Sequence, residues 1–230
     1  MKIKWALTLV LMTFLAVSPA ANLLAQNTCP GCSEPAKVVH PNGFGPHSYA
    51  RWQPRTGLAD SGGSVNFAML LVHLTPATVA ATARAVVAIE GFDGEPVGLT
   101  GVSGLEFFVR TTDQNGAPTP SECSLTSPRF SIRWLDPILG DNHTYFHCAN
   151  PFEMPVTSLP TAAPNGSTYQ RHSVNQALMF ALVPSTAIII SLAILWDDSG
   201  SSHIDNISVT DTSVGCNPCT WTRPADNGSN

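Results

Sequence analysis

Residues 196–211, WDDSGSSHIDNISVTD, predict the closing strand of an all-β protein. The Asp-Asp-Ser-Gly cluster is typical of a β-turn, and the run after it carries the aliphatic residues of a strand. Because alternate residues of a strand share a face, Asp205, Ile207 and Val209 are predicted to point the same way. The two aliphatic residues indicate that this face is buried, which puts the Asp205 carboxylate at or under the edge of the core.

A buried carboxylate needs a partner. Outside water it requires a cation, hydrogen-bond donors or a proton. For Asp205 the donors available nearby are backbone amides and the hydroxyls of Ser201 and Ser202. We therefore treat Asp205 as the first candidate site residue and leave the nature of its partner open at this stage.

The rest of the chain predicts further strands separated by turns. Phe130, Ile132 and Trp134 alternate with polar residues, which is the pattern of a half-buried strand. Glycine, proline and small polar residues recur between the apolar runs, as expected for an antiparallel β-sandwich. The predicted strands cover residues 65–74, 84–89, 104–111, 129–134 and 144–148.

The predicted domain organisation has four parts. A signal peptide over residues 1–25 precedes a loop-rich opening segment over 26–64. The β-sandwich domain follows over 65–211, and residues 212–230 form a cysteine-containing C-terminal tail. Within the sandwich, the alanine-rich residues 76–83 are compatible with a short helix.

The N-terminus predicts secretion. Two lysines precede an apolar run over residues 5–17, and small residues follow. This arrangement is typical of a secretory signal peptide and is too short for a membrane anchor. We expect cleavage after Ala25, with Ala20 or Ala21 as the alternative site. The mature protein is then extracellular, with the periplasm as the alternative compartment.

The charge balance excludes two classes of partner. Loss of Lys2 and Lys4 leaves 9 of the 11 basic residues against 16 acidic ones, a net charge near −7. Such a chain has no electrostatic footprint for nucleic acid, and anionic membrane surfaces repel it. We therefore expect no nucleic-acid partner and no membrane association after signal cleavage.

One uncharged stretch of 20 residues, 177–196, is long enough to span a bilayer. Its centre contains Pro184, Ser185 and Thr186, which are typical of a turn. The run of isoleucines after this turn favours a strand over a helix. We therefore predict two buried strands rather than a membrane span.

Six cysteines behind a signal peptide predict disulfides. Cys123 and Cys148 bracket one hairpin-like segment and form the expected middle pair. The other four lie in two C-x-x-C motifs near the two ends of the chain, for which disulfides within each motif or between them are expected. A four-thiolate zinc site and a redox motif are the alternatives. These four cysteines are Cys29, Cys32, Cys216 and Cys219.

The stretches 123–134, 144–148 and 188–209 together resemble a pattern in uncharacterised secreted bacterial β-sandwich proteins. The resemblance covers roughly residues 105–209 and implies a shared fold without a known activity. The last strand also resembles the closing strand of galactose-binding-like jelly rolls, a fold common among carbohydrate-binding modules. That resemblance implies a jelly-roll-like antiparallel β-sandwich and glycan binding.

The same resemblance implies a calcium ion. In galactose-binding-like folds, an aspartate of the closing strand commonly helps to hold structural calcium, and Asp205 occupies the matching position. Calcium binds carboxylate, carbonyl and water oxygens, which suits this residue. Asp60 is the candidate for a second ligand from the N-terminal part. The alternative is an Asp205 carboxylate that hydrogen bonds to backbone amides or serine hydroxyls.

Aromatic side chains in loop-like surroundings are the candidates for a sugar platform. Aromatic rings stack on the apolar faces of sugars, while a few polar groups fix their orientation. Trp52 and Tyr169 lie in such surroundings, whereas Trp134 shares the apolar face of its strand and is expected in the core. We therefore predict Trp52 and Tyr169 as ligand-binding residues.

The sequence favours a non-catalytic protein that binds glycans or another component of a cell surface. The first alternative is an extracellular structural or assembly protein without a small ligand. The second is a glycoside-active enzyme that uses the carboxylates of Glu90, Asp93 and Glu95, since such enzymes work with paired carboxylates. A solvated acidic turn explains the same three residues, so no catalytic residue is predicted.

Overall fold

A computed structural model describes residues 37–60, 65–74, 83–119, 122–123, 126–213 and 216–222, of which 216 and 217 are described by their backbone alone. Twelve strands and one short helix lie in this part of the chain. In chain order they are β1 (Val38–Phe44), β2 (Ser48–Pro54), β3 (Phe67–His73), β4 (Arg84–Glu90), β5 (Val102–Thr112), β6 (Arg129–Asp136), β7 (Gly140–His147), β8 (Thr161–Ala162), β9 (Thr168–Ser173), α1 (Gln176–Leu182), β10 (Ile188–Trp196), β11 (Gly200–Asp211) and β12 (Cys216–Trp221).

The strands form two antiparallel sheets packed face to face. The five-stranded sheet has the order β1-β4-β10-β6-β7. The seven-stranded sheet has the order β2-β3-β11-β5-β9-β8, and β12 pairs with β11 beside this path. The prediction of an all-β antiparallel sandwich is confirmed, whereas its jelly-roll topology stays a prediction.

Alternation along the strands builds the core between the sheets. Phe130 and Ile132 are fully buried and Trp134 is 5% exposed, while Ser131 between them faces outward. On β4, Val87 and Ile89 are buried in the same core. The predicted core position of Trp134 is therefore confirmed, and the residues between these core positions define the outward face of the five-stranded sheet.

Strands also form where the sequence predicts loops. β1 and β2 lie within residues 26–64, and β12 lies within residues 212–230. Pro41 in β1 obscures the strand pattern, but β1 is an edge strand, where a missing backbone donor is tolerated. The indole N–H of Trp221 donates to the backbone oxygen of Lys37 at 3.3 Å, so β12 lies beside the start of β1.

The prediction of two strands over residues 177–196 is half wrong. β10 is a strand, but Gln176–Leu182 is the helix α1. The Asn175 side chain caps the helix by accepting a hydrogen bond from the Leu178 amide, and the residues that follow are good helix formers that bury Met179. No helix in the described part of the chain is long and apolar enough to cross a membrane.

One predicted disulfide is confirmed. Cys123 and Cys148 are bonded and link the segment after β5 to the end of β7. Closing a loop of 25 residues stabilises a fold by about 3 kcal/mol. Cys219 is buried and disulfide-bonded as well.

Several predictions concern parts of the chain outside the described residues. These are the signal peptide with its cleavage site, residues 76–82 of the short helix predicted over 76–83, and the positions of Cys29 and Cys32. The side chain of Cys216 is also outside the description. The pairing of these cysteines with Cys219 therefore stays a prediction.

Candidate functional site

Asp205 does not share the face predicted for it. The pairing of β11 with β5 shifts register between Asp205 and Ser208, and Asn206 has a positive φ of 44°. This β-bulge reverses the alternation, so that Ile204 joins Ile207 in the core between the sheets. Asp205 is therefore on the outward face of the seven-stranded sheet, where it is nevertheless fully buried.

Backbone amides hold the Asp205 carboxylate. Oδ2 accepts a hydrogen bond from the Leu58 N–H at 2.6 Å, and Oδ1 accepts one from the Asn206 N–H at 2.7 Å. The loop after β2 approaches so closely that a Cβ on Gly57 would stand 2.7 Å from Oδ2 and 1.7 Å from the Phe67 oxygen. Asp205 thus ties this loop to β11.

These contacts do not fit a calcium site. N–H groups occupy Asp205, whereas calcium requires several convergent oxygen ligands. Asp60 is also bound to the backbone, because its Oδ2 accepts the Phe67 N–H at 3.1 Å. Among the described residues, no group of three or more His, Cys, Asp or Glu side chains could hold a metal ion.

The two predicted platform residues differ in burial. Tyr169 is fully buried and its hydroxyl donates to the Thr56 oxygen at 2.6 Å. Trp52 is partly buried against the main core. The prediction for Tyr169 is wrong because β9 turns its ring against Leu58 and Ala68, whereas the role of Trp52 stays a prediction.

Burial gives Tyr169 a testable titration. Desolvation raises its pKa, and the negative charge of Asp205 raises it further. A raised pKa in the folded state gives stability that is complete below the usual tyrosine pKa, about 10, and is lost as the pH rises toward the folded value. We expect the free energy of unfolding, measured by urea denaturation, to fall from pH 9 to pH 11.

The matched variant is Tyr169→Phe, which cannot ionise at this position. At pH 8 we expect it to cost about 1 kcal/mol through the lost hydrogen bond to Thr56. Its further loss between pH 9 and pH 11 should be smaller than that of the unaltered protein. Equal losses in the two proteins would contradict the assigned role of Tyr169.

The outward face of the seven-stranded sheet is largely closed near its centre. Glu122 is buried there, accepts a hydrogen bond from the Arg110 Nε at 2.8 Å and binds the His203 N–H at 2.7 Å. Tyr169 and Asp205 lie under the loop after β2 on the same face. The candidate binding surface is therefore on the other sheet.

The outward face of the five-stranded sheet carries a row of small side chains. Register places His40 beside Ala88, Ala88 beside Ala193, Ala193 beside Ser131 and Ser131 beside Tyr145. The three small residues form the floor between two larger and exposed end residues. We call this floor and its two borders the trough. It crosses the five strands over about 19 Å, since neighbouring strands lie about 4.8 Å apart.

Rings on β7 form one border of the trough. His143, Tyr145 and His147 alternate outward, with ring centroids 5.9 Å and 6.4 Å apart in sequence order. Tyr145 is 37% exposed, and the Arg129 guanidinium lies 5.0 Å from its ring centroid. Tyr145 is therefore an exposed aromatic ring whose position is supported on three sides.

Glu153 fixes the position of His147. Its Oε2 accepts hydrogen bonds from the His147 amide at 2.8 Å and from Nδ1 at 2.6 Å, and its Oε1 accepts one from the Asn150 amide group at 2.7 Å. Burial acts to raise the pKa of Glu153, but these hydrogen bonds outweigh it and lower the pKa. An ionised carboxylate therefore orients the ring at this end of the border.

The arginines of β6 are held by carboxylates. Arg129 donates to both oxygens of Asp197, at 2.7 Å for Oδ1. Burial acts to raise the pKa of Asp197, and the bonds from Arg129 and Ser127 outweigh it, so that the pKa is lowered. Arg133 binds Asp141 in the same way, with Nε 3.0 Å from Oδ1.

A pocket of about 420 Å³ opens next to the floor, close to the point where the pairing of β10 with β6 shifts register between Ile189 and Ser191. Ala88, Ser191, Glu90 and Asp93 are among its lining residues. Glu90 faces His40, with 3.4 Å between Oε2 and Nε2. The pocket thus adds hydroxyl and carboxylate groups to the border of the trough formed by β1 and β4.

The three carboxylates of the enzyme alternative do not act as one cluster. Glu90 and Asp93 line the pocket, whereas Glu95 accepts a hydrogen bond from the Ser213 hydroxyl at 2.7 Å. Glu95 also supplies the backbone oxygen that binds the Ile189 N–H. Glu95 therefore belongs to a turn whose backbone pairs with the start of β10, and only Glu90 and Asp93 remain at the pocket.

A scan with protein-family models found no match to the chain, and a search of curated proteins found none either. The functional assignment therefore depends on the chemistry of the trough.

Proposed function

We propose that the protein is a secreted, non-catalytic binding protein whose trough holds a saccharide chain. The observation that carries this proposal is the row from Ala88 through Ala193 and Ser131 to Tyr145. Small side chains leave room above the sheet for an extended ligand. The exposed ring at one end offers a surface for stacking.

The groups around the floor match the two-sided chemistry of sugars. A sugar ring has apolar faces that stack on aromatic rings and hydroxyl groups that require directed hydrogen bonds. Tyr145 supplies the ring, and Ser131, Ser191 and Glu90 supply polar groups near the floor. The ion pairs of Arg129 and Arg133 stiffen the β6 side, which lowers the entropy cost of binding.

Two properties of the sequence support the same proposal. The N-terminus resembles a secretory signal peptide, which would bring the protein into contact with extracellular glycans. The last strand resembles that of galactose-binding-like jelly rolls, many of which are carbohydrate-binding modules. The proposed site nevertheless lies on the sheet without that strand.

Replacing Tyr145 by alanine tests the proposal. In a panel of immobilised and soluble glycans, we expect the unaltered protein to bind at least one saccharide. For that saccharide, Tyr145→Ala should weaken binding about tenfold or more, because stacking and the loss of buried ring area together contribute about 1.4 kcal/mol or more. Isothermal titration calorimetry measures the change.

Tyr49→Ala is the matched control. Tyr49 is 38% exposed, lies on a strand and has the Arg51 guanidinium 5.4 Å from its ring centroid, but it belongs to the seven-stranded sheet. We expect this variant to bind like the unaltered protein. Equal loss in both variants, or no binding to any glycan, would contradict the proposal.

The absence of binding to any glycan would favour an assembly role, which one feature supports. Apolar side chains are exposed around the β6–β7 turn, with Ile138 at 88%, Leu139 at 61% and Leu135 at 42%. Such side chains are typical of contact surfaces when they lie close together. They lie at the β6–β7 end of the sheet, to one side of the row from His40 to Tyr145, and take no part in the proposed site.

A further inference from the structure

We infer that the trough selects uncharged saccharides and excludes anionic ones, an inference that rests on the proposed function. Proteins bind carboxylate and sulfate groups chiefly through guanidinium groups with free donors. The structure places two arginines at the trough, Arg129 and Arg133, so their state decides whether the site can hold an anion.

Both arginines are paired with carboxylates. Arg129 donates to both oxygens of Asp197 and also to the Thr126 oxygen, and its side chain is only 12% exposed. Arg133 donates to Asp141 through Nε and Nη2. At Arg129 an anionic ligand would have to replace the carboxylate of Asp197. At Arg133, where both side chains of the pair are 45–46% exposed, it would meet the negative charge of Asp141 beside the guanidinium.

The opposite border repels anions. Glu90 and Asp93 both line the pocket. The only basic side chain paired with Glu90 among the described residues is His40, and both side chains of this pair are more than half exposed, so their interaction is weak. Arg84 is at the far end of β4, about 20 Å away, with its guanidinium 5.8 Å from the Phe44 ring centroid.

The net charge of the whole chain also disfavours anionic ligands. The mature protein carries 9 basic and 16 acidic residues, so a polymer with a charge on many of its units meets a negative field before it reaches the trough. Sugar hydroxyls meet no such barrier, since they donate hydrogen bonds to carboxylates. The ligand class that fits is therefore a neutral saccharide.

Polymers with the same backbone and different charge test the inference. At low ionic strength, we expect the protein to bind hydroxyethyl cellulose with at least tenfold higher affinity than carboxymethyl cellulose. If it recognises the other backbone, we expect the same difference between dextran and dextran sulfate. The difference in affinity between the neutral and the anionic polymer should narrow in about 1 M salt, where the screening length is about 3 Å. Equal binding, or stronger binding of the anionic polymer, overturns the inference and leaves the proposed function intact. If the protein binds neither polymer and none of the neutral glycans, the result counts against the proposed function instead.

The double variant Glu90→Gln, Asp93→Asn tests the assigned cause. Removal of both carboxylates should narrow the gap between the neutral and the anionic polymer. The matched control is Glu106→Gln on the other sheet, where Glu106 accepts a hydrogen bond from the Ser173 hydroxyl at 3.1 Å. An unchanged gap in the double variant, or the same narrowing in the control, overturns the assignment to the pocket.

Discussion

Replacing Lys37 by methionine is expected to lower the free energy of unfolding by about 3–5 kcal/mol, the cost of breaking a buried ion pair from one side. The Lys37 ammonium lies 3.1 Å from Asp211 Oδ2, and the two side chains are 2% and 0% exposed. The same ammonium donates to the Gly91 oxygen at 2.9 Å. Methionine matches the volume but leaves the Asp211 charge buried without its cation.

The effect should be large because Lys37 joins elements far apart in sequence. Its ammonium lies 3.9 Å from the Phe92 ring centroid, after β4, and its backbone oxygen binds Trp221 on β12. Asp211 ends β11. The ion pair therefore connects the start of β1 with the two strands that close the chain.

Urea denaturation of a double-mutant cycle measures this interaction. Asp211→Asn alone should be strongly destabilising, and the double variant Lys37→Met, Asp211→Asn should lose much less than the sum of the two single changes. Additive losses, or a loss below about 1 kcal/mol for Lys37→Met, would show that the pair does not hold these strands together.

Asp205→Ala is expected to lower the free energy of unfolding by about 2–5 kcal/mol. The change removes the acceptor from the Leu58 and Asn206 amides, and each buried donor left without a partner costs about 1–3 kcal/mol. Asp205→Asn should cost less, because its amide oxygen still accepts one of the two hydrogen bonds. Urea denaturation of the three proteins gives the order.

A chelator separates this role from metal binding. Since N–H groups occupy the Asp205 oxygens, the melting temperature should be the same in EDTA and in excess calcium. Stabilisation by calcium that disappears in Asp205→Asn would contradict this account and restore the calcium ligand role that the sequence suggested.

Alternation predicted the core strands well but could not show where it breaks. Phe130, Ile132 and Trp134 are buried as expected, because β6 is regular along this run. In β11 one residue with positive φ, Asn206, shifts the register and moves Asp205 to the other face. The alternation of apolar and polar residues in the sequence cannot predict this bulge, because the bulge arises from the pairing of β11 with β5.

Burial of Tyr169 was hidden for a similar reason. Its neighbours in sequence are polar, as in a loop, but Leu58 and Ala68 from distant segments cover the ring. The trough depends even more on pairing. Ala88 and Ala193 are inconspicuous in the sequence and become a floor only through the register of β4 with β10.

NMR titration locates the binding surface that we propose on the outward face of the five-stranded sheet. An uncharged oligosaccharide taken from the glycan panel is added to the isotope-labelled protein, and backbone amide shifts are followed. We expect shifts concentrated at Ala88, Ser131, Tyr145 and Ala193. Shifts concentrated instead around Tyr49 on the seven-stranded sheet, with the trough unaffected, would contradict this proposal.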